Sequence, residues 1–181
     1  MSLRLLQGGK HCDPRVVAAF HEALQALRGL PILGSVAGPG TGTLVSLAIG
    51  APVPRDRPID NPHITDVLRT HDGEYSLFIK CAWRIEGETE VLCSSECDNT
   101  AGGPMLTGLA RLTGSVILEV QPLAGPAHDL ALRFADGLVL RVFCEQFGAE
   151  ADDNYCLFMP TTTFTVGPCG ALALAPRDRR G

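Results

Sequence analysis

The sequence predicts an α+β domain dominated by antiparallel β-sheet, built of hairpins and meanders, with an N-terminal helix packed on one face. Three observations carry that expectation. One stretch with helical spacing of apolar residues stands near the start. Turn-bounded apolar runs fill most of the remainder. Ala135-Asp-Gly137, set between two such runs, is the strongest hairpin signal in the chain. The 181 residues are 45% hydrophobic and 19% charged, which suits a single domain spanning 1–181. A chain of that length buries roughly 70% of its unfolded surface and needs no metal or disulfide staple.

The helix begins at Asp13, a good N-cap, with Pro14 at its first position. Val16, Val17, Phe20, Ala23, Leu24 and Leu27 form its apolar stripe, and His21, Glu22, Gln25 and Arg28 its polar side. Gly29 ends it, followed by Pro31. Gly34 to Gly42 reads as a turn. Its Gly38-Pro-Gly-Thr-Gly42 lacks the Gly-Lys-Ser/Thr ending of a phosphate loop and precedes a strand instead of a helix. Thr43 to Ile49 is that strand. Residues 50–62 hold Pro52, Pro54, Pro58 and Pro62 among Arg55, Asp56, Arg57 and Asp60, the composition of an exposed loop.

Tyr75 to Ile85 reads as one long strand, and Thr89 to Cys97 as its antiparallel partner across Glu86-Gly-Glu88. Strict alternation places Ile79, Cys81, Trp83 and Ile85 on one face, with Trp83 as a core anchor. Phe78, Lys80, Ala82 and Arg84 take the other face, where Arg84 is placed to meet Glu90 or a neighbour. Asp98 to Gly103 is a loop, Pro104 to Leu112 a short helix and Ser115 to Val120 a strand. Leu130–Phe134 with Leu138–Phe143, and Tyr155–Met159 with Thr163–Val166, form two hairpins. After Gly167-Pro-Cys-Gly170 comes a last strand, Ala171 to Leu174, and a frayed tail, 176–181.

Bulk features narrow the function. The apolar run Leu44 to Ile49 falls far short of the roughly 20 residues that span a bilayer. The first ten residues lack an apolar stretch of signal-peptide length. Cysteines 12, 81, 93, 97, 144, 156 and 169 number seven, so they cannot all pair within the chain. Reduced thiols and a cytoplasmic location are expected. The net charge of −5 is unevenly placed, because residues 72–153 carry an excess of acids and the remainder an excess of bases. Without a basic stripe interleaved with aromatics, nucleic acid is not an expected partner.

The spacing of chemistry-bearing residues matches no catalytic motif. Cys93-Ser-Ser-Glu-Cys97, with His11-Cys12 elsewhere, offers metal ligands but no second close pair, so no metal or cofactor is expected. No Gly-x-Ser-x-Gly occurs. His11, His63, His71 and His128 fall in loops or at the start, and His21 on the helix's solvent side. Glu86, Glu88, Glu90 and Glu96 surround one hairpin, and Glu145, Glu150, Asp152 and Asp153 another. Carboxylates in polar turns ionise normally and do not supply tuned acid–base pairs. The expectation is a chain that is not an enzyme.

Two groups of residues carry a resemblance. One is Cys81-Ala-Trp-Arg-Ile85 followed by Ser94-Ser-Glu96. The other is Phe134-Ala-Asp-Gly-Leu-Val-Leu140 with Asp153-Asn-Tyr-Cys-Leu-Phe-Met-Pro160 and Val166-Gly-Pro-Cys-Gly170. Over residues 30 to 170 these resemble small, uncharacterised bacterial proteins, some encoded beside polymorphic toxins as candidate immunity proteins. Tyr155 stands where those proteins carry Trp, and Thr161-Thr162 where they carry Asp-Gly. The resemblance implies no catalytic residues. It implies a cytoplasmic protein-binding module that neutralises a toxin, and the acidic excess of residues 72–153 adds the expectation that a basic partner is met through acidic hairpin surfaces. The contact residues expected are Glu86, Glu88, Glu90, Glu96, Asp98, Glu150, Asp152 and Asp153. Two alternatives remain open: a small enzyme or ligand-binding protein with a pocket between helix and sheet, and a homo-oligomeric structural protein with an exposed apolar sheet edge.

Overall fold

The computed structural model describes residues 13–60, 64–148 and 150–177. His11, Cys12, Pro62, His63 and the tail beyond Arg177 lie outside the described residues. In chain order the elements are α1 (Pro14–Gln25), β1 (Ile32–Val36), β2 (Val45–Pro54), α2 (Asp66–Thr70), β3 (His71–Ile79), β4 (Ala82–Glu86), β5 (Val91–Ser94), α3 (Pro104–Ala110), β6 (Ile117–Pro122), β7 (Leu130–Phe134), β8 (Val139–Phe143), β9 (Tyr155–Phe158), β10 (Thr162–Val166) and β11 (Leu172–Pro176). The strands make two antiparallel sheets: six strands in the order β1-β2-β3-β9-β10-β11, and five in the order β5-β4-β8-β7-β6. With α1 at the N-terminus, the fold is the α+β, antiparallel class that the sequence predicts.

The largest correction concerns Tyr75 to Ile85, which is two strands and not one. The amides of Lys80 and Cys81 both donate to the Asn154 carbonyl, at 2.9 and 3.1 Å. The chain thus leaves the larger sheet after Ile79 and enters the smaller one at Ala82. The alternation survives this corner, since Ile79, Cys81, Trp83 and Ile85 are all buried. The partner strand shortens to β5 but keeps its place, with Ile85 opposite Cys93. Both predicted hairpins form: β7 pairs with β8, and β9 with β10.

Other corrections are local. Residues 34–36, read as turn, belong to β1, and α2 carried no sequence signal strong enough to be expected. The proline-rich loop begins late, because β2 runs to Pro54 and pairs with the start of β3. Pro52 follows directly on a register shift after Ile49, a bulge where a ladder donor is not required, and Pro54 is the last residue of the strand. Gly73 sits opposite Pro52, and a Cβ on it would strike the backbone nitrogen of Ile49 and the carbonyl of Tyr75. Pro176 and Arg177, expected to belong to a frayed tail, are instead part of the fold: Pro176 pairs with Thr162, and the Arg177 amide donates to Thr161 O at 2.9 Å.

One apolar cluster serves both sheets and α1. Phe20, Ala23 and Leu24 are the fully buried residues of the helix, and the Phe20 ring lies 5.5 Å from Phe164 and 6.4 Å from Tyr155. The Asp13 carboxylate caps the helix by accepting the Arg15 amide at 2.9 Å. Helix α1 packs against β6 and β11, a margin of each sheet, while α3 packs against β5 and β1, the opposite margins. Trp83 is 1% exposed, and its Nε1 donates to Thr43 O at 2.9 Å, so its one polar atom is satisfied inside the core.

Asn154, also 1% exposed, joins four segments. Besides receiving Lys80 and Cys81, it donates its amide to Val166 O at 2.7 Å. Its side chain donates to Gly167 O at 2.9 Å and accepts the Gln146 amide at 3.1 Å. Replacing Asn154 by Ala strands the half-buried Gln146 amide and the buried Gly167 carbonyl, and is expected to cost about 2–4 kcal/mol in urea unfolding. A cost below roughly 1 kcal/mol would show that water replaces both bonds. Gly73→Ala is expected to lower the unfolding midpoint by a comparable amount, because the obstacles are backbone atoms that cannot swing aside.

Candidate functional site

The eight acids expected to bind a partner do not form one face. Glu86 follows Trp83 and Arg84 to the end of β4 and is spent within the fold. Its carboxylate accepts Arg141 Nε at 2.8 Å and Arg84 Nε at 2.6 Å. Those arginines, Arg141 first, hold its carboxyl below the usual range against the opposing effect of burial. Arg84 therefore meets Glu86, two residues on, instead of reaching Glu90 across the hairpin. Glu88 and Glu90 stand exposed on the β4–β5 turn at that same end.

The other five gather at the beginning of β4. The Ser95 amide donates to Trp83 O at 2.9 Å, which fixes the loop carrying Glu96 and Asp98 on one side of the strand. On the other side Glu145 accepts the Ala82 amide at 3.2 Å, and Lys80 Nζ lies 3.4 Å from Asp152 and 3.8 Å from Asp153. Glu96, Asp98, Glu145, Glu150 and Asp152 are exposed and Asp153 is half-exposed. Asp98 is held below the usual carboxylate range by the hydroxyl and amide of Thr100. Five residues of strand separate this end from Glu88 and Glu90, roughly 16 Å at 3.3 Å per residue. That exceeds the Debye length of about 10 Å at 0.1 M salt, so the two acid groups act separately.

Among the described cysteines, Cys81, Cys93, Cys144 and Cys156 are buried in the packing, whereas Cys169 is exposed with its Sγ donating to Phe147 O at 3.1 Å. Cys93 is buried against α3, where Gly108 leaves room for its sulfur, and burial, with Cys97 adding, pushes it up to about 11. Cys81 and Cys144 follow one register step beyond Ala82 and Phe143, and the neighbouring Cys81 thiol, with burial, pushes Cys144 far up. Burial also raises Cys156 and the Tyr155 phenol, whose hydroxyl donates to His128 O at 2.8 Å. Burial, with His21 nearby, lowers His128, whose ring meets Phe20 edge-on at 5.8 Å. His71 is not in a loop: it opens β3, with Nδ1 2.8 Å from Thr70 Oγ1. Cys97 accepts the Ser94 amide at 3.3 Å. Among the described residues no three His, Cys, Asp or Glu side chains cluster as metal ligands.

A groove of about 530 Å3 lies on the outer face of the larger sheet, beneath residues 53–59, and none of its lining belongs to α1. Ser46, Ser76, Phe78 and Phe158 form its floor, and the Ser46 and Ser76 hydroxyls are 3.1 Å apart. Arg55, Arg57 and Arg177 stand around it with Asp56 and Asp72. The backbone holds Arg55 in place, since its Nε donates to Leu68 O and His71 O at 3.1 Å each. Arg177 Nη1 donates to Glu74 O and Met159 O at 3.2 and 3.0 Å, and its guanidinium lies 5.8 Å above the Phe158 ring. Asp72 pairs with both arginines, at 3.5 and 3.3 Å. The sequence reading missed this site, since its arginines fall in the proline-rich loop and the tail. The one available signal was Val53 and Ile59 flanking Arg55 and Arg57, apolar residues that a solvated loop does not need.

Compared with models of protein families, with curated proteins and with solved structures, the chain matches none. No helix among the described residues is long and apolar enough to cross a membrane. At the margin of the larger sheet, Ala173, Leu174 and Ala175 of β11 are exposed.

The raised thiols and phenol set an alkaline limit on stability. In the folded chain Cys93 keeps its proton to about 11, whereas an unperturbed thiol releases it near 9.0. The contribution of Cys93 to stability is therefore level below pH 9 and declines between 9 and about 11, with Cys144, Cys156 and Tyr155 acting in the same direction. Urea midpoints at neutral pH and at about pH 10.5 check this, and an unchanged midpoint contradicts it.

Proposed function

We propose that the chain is a non-catalytic binding protein that recognises a macromolecular partner of opposite charge through the acidic end of β4. What supports the reading above all is that Glu96, Asp98, Glu150, Asp152 and Asp153, with Glu145, crowd the loops on both sides of one strand end. Charges within a Debye length sum, and such a patch accelerates encounter with a basic surface by about tenfold to a thousandfold at low salt. The thiols and phenol kept protonated by burial agree with a scaffold that positions a surface instead of activating a nucleophile. Within this reading, the resemblance to immunity proteins makes a basic toxin domain the partner class and the cytoplasm its place of action.

The test uses the protein encoded by the neighbouring reading frame as the probe. A triple variant, Glu96→Gln, Glu150→Gln and Asp152→Asn, is expected to slow association about tenfold at low ionic strength and to flatten its salt dependence. Its unfolding midpoint should stay at the parent value. Glu88→Gln with Glu90→Gln, at the far end of β4, should change the rate by less than about twofold at about 0.1 M salt, where the Debye length of about 10 Å is shorter than the separation of the two acid groups. An unchanged on-rate in the triple variant excludes the acidic end as the contact surface. Failure of the neighbour's product to bind the parent chain excludes the immunity assignment.

A further inference from the structure

We infer that the groove on the outer face of the larger sheet is a binding site for a small organic anion that joins an apolar ring to a carboxylate or phosphate. Its volume, about 530 Å3, lies in the range of small-molecule sites. Phe78 and Phe158 are large side chains on an outward face, and both are half-exposed on the floor of the groove. Arg177 lies 5.8 Å over the Phe158 ring and Lys80 Nζ 5.8 Å over the Phe78 ring, so the floor sets apolar ring surface directly beside cations, as a ligand that joins a ring to an anion requires. Beside the two rings Ser76 is 6% exposed and shares one hydrogen bond with the Ser46 hydroxyl, which leaves that pair a hydroxyl hydrogen to donate.

Three arginines and two aspartates line the groove, an excess of one positive charge, and part of that charge is fixed. Arg55 is clamped by two backbone carbonyls, which hold its Nε without neutralising it, and it shares the single Asp72 carboxylate with Arg177, so one carboxylate faces two guanidinium groups. Arg57 lines the same groove from an exposed position. A guanidinium whose rotamer is already set loses little entropy on meeting an anion and can offer a planar pair of donors to carboxylate or phosphate. The chain's net charge of −5 repels anions generally. A bound anion therefore reports local arginines and not a diffuse field. This inference is independent of the acidic end of β4, and either can fail alone.

The experiment is a titration of the full chain, followed by backbone and aromatic resonances, with four probes: phenyl phosphate, phenylacetate, inorganic phosphate and benzyl alcohol. The ring-bearing anions are expected to bind saturably and to shift Ser76, Phe78 and Phe158. The preferred one of the two identifies the acidic group. Inorganic phosphate and benzyl alcohol, each carrying half of the chemistry, should bind at least about tenfold more weakly. Arg57→Gln, at an exposed position, should keep the melting temperature and weaken the ring-bearing anion about tenfold. Phe158→Ala, once shown folded, should bring the ring-bearing anion down to the level of free phosphate. The inference is overturned if neither ring-bearing anion shifts the groove resonances, if benzyl alcohol binds as well as they do, or if Arg57→Gln binds like the parent.

Discussion

A single carbonyl oxygen, that of Asn154, receives the amide protons of both Lys80 and Cys81, and the two-sheet arrangement depends on it. At a corner where one strand passes from sheet to sheet, two successive amides lose their ladder partners. Left unpaired and buried, each would cost on the order of 1–3 kcal/mol. Asn154 can serve both because its own amide and side chain are tied to Val166, Gly167 and Gln146. The bend after β3, the approach to β9 and the end of β10 are thereby one hydrogen-bonded unit.

This explains which parts of the fold were legible in the sequence. The β7–β8 and β9–β10 hairpins are specified by residues adjacent in the chain, such as Asp136-Gly137, where Gly137 takes φ of 83°. The corner depends on Asn154, far downstream, and no local residue announces it. Face parity is also unbroken across Lys80 and Cys81, so the apolar alternation reads as one strand although it spans two sheets. Strand β1 was hidden for a different reason. Gly34 looks like turn chemistry, but a Cβ there would meet Leu68 Cδ1 of α2 at 2.9 Å. The glycine admits a helix against the strand, and that need is set by tertiary packing.

Electrostatics show the same division between what residue identity reveals and what only position decides. Eight carboxylates with similar sequence surroundings take up different roles once the strands are aligned. Glu86 is bound to two arginines, Asp98 accepts from Thr100, and Glu88, Glu90 and Glu96 face solvent. Glu145, outside the expected contact group, anchors the first amide of β4. Solvent-exposed carboxylates gain little from fixed pairs, so their contribution to any partner comes through their summed field and not through individual bonds.

The charge asymmetry of the chain is the sequence feature that maps most directly onto the two surfaces. Every acid at the beginning of β4 lies within residues 72–153, the segment that carries the acidic excess. Arg55, Arg57 and Arg177 of the groove all lie outside it. Asp72, the first residue of that segment, is the carboxylate that bridges Arg55 and Arg177. Folding therefore concentrates an imbalance already present along the chain into an acidic strand end and an arginine-lined groove. Had the arginines of the loop and tail been folded among the acids, opposite charges would have cancelled and neither surface would carry a field of its own. The separation is one of excess and not of kind, since Asp56 and Asp72 stand among the arginines of the groove and Lys80 among the acids of the strand end.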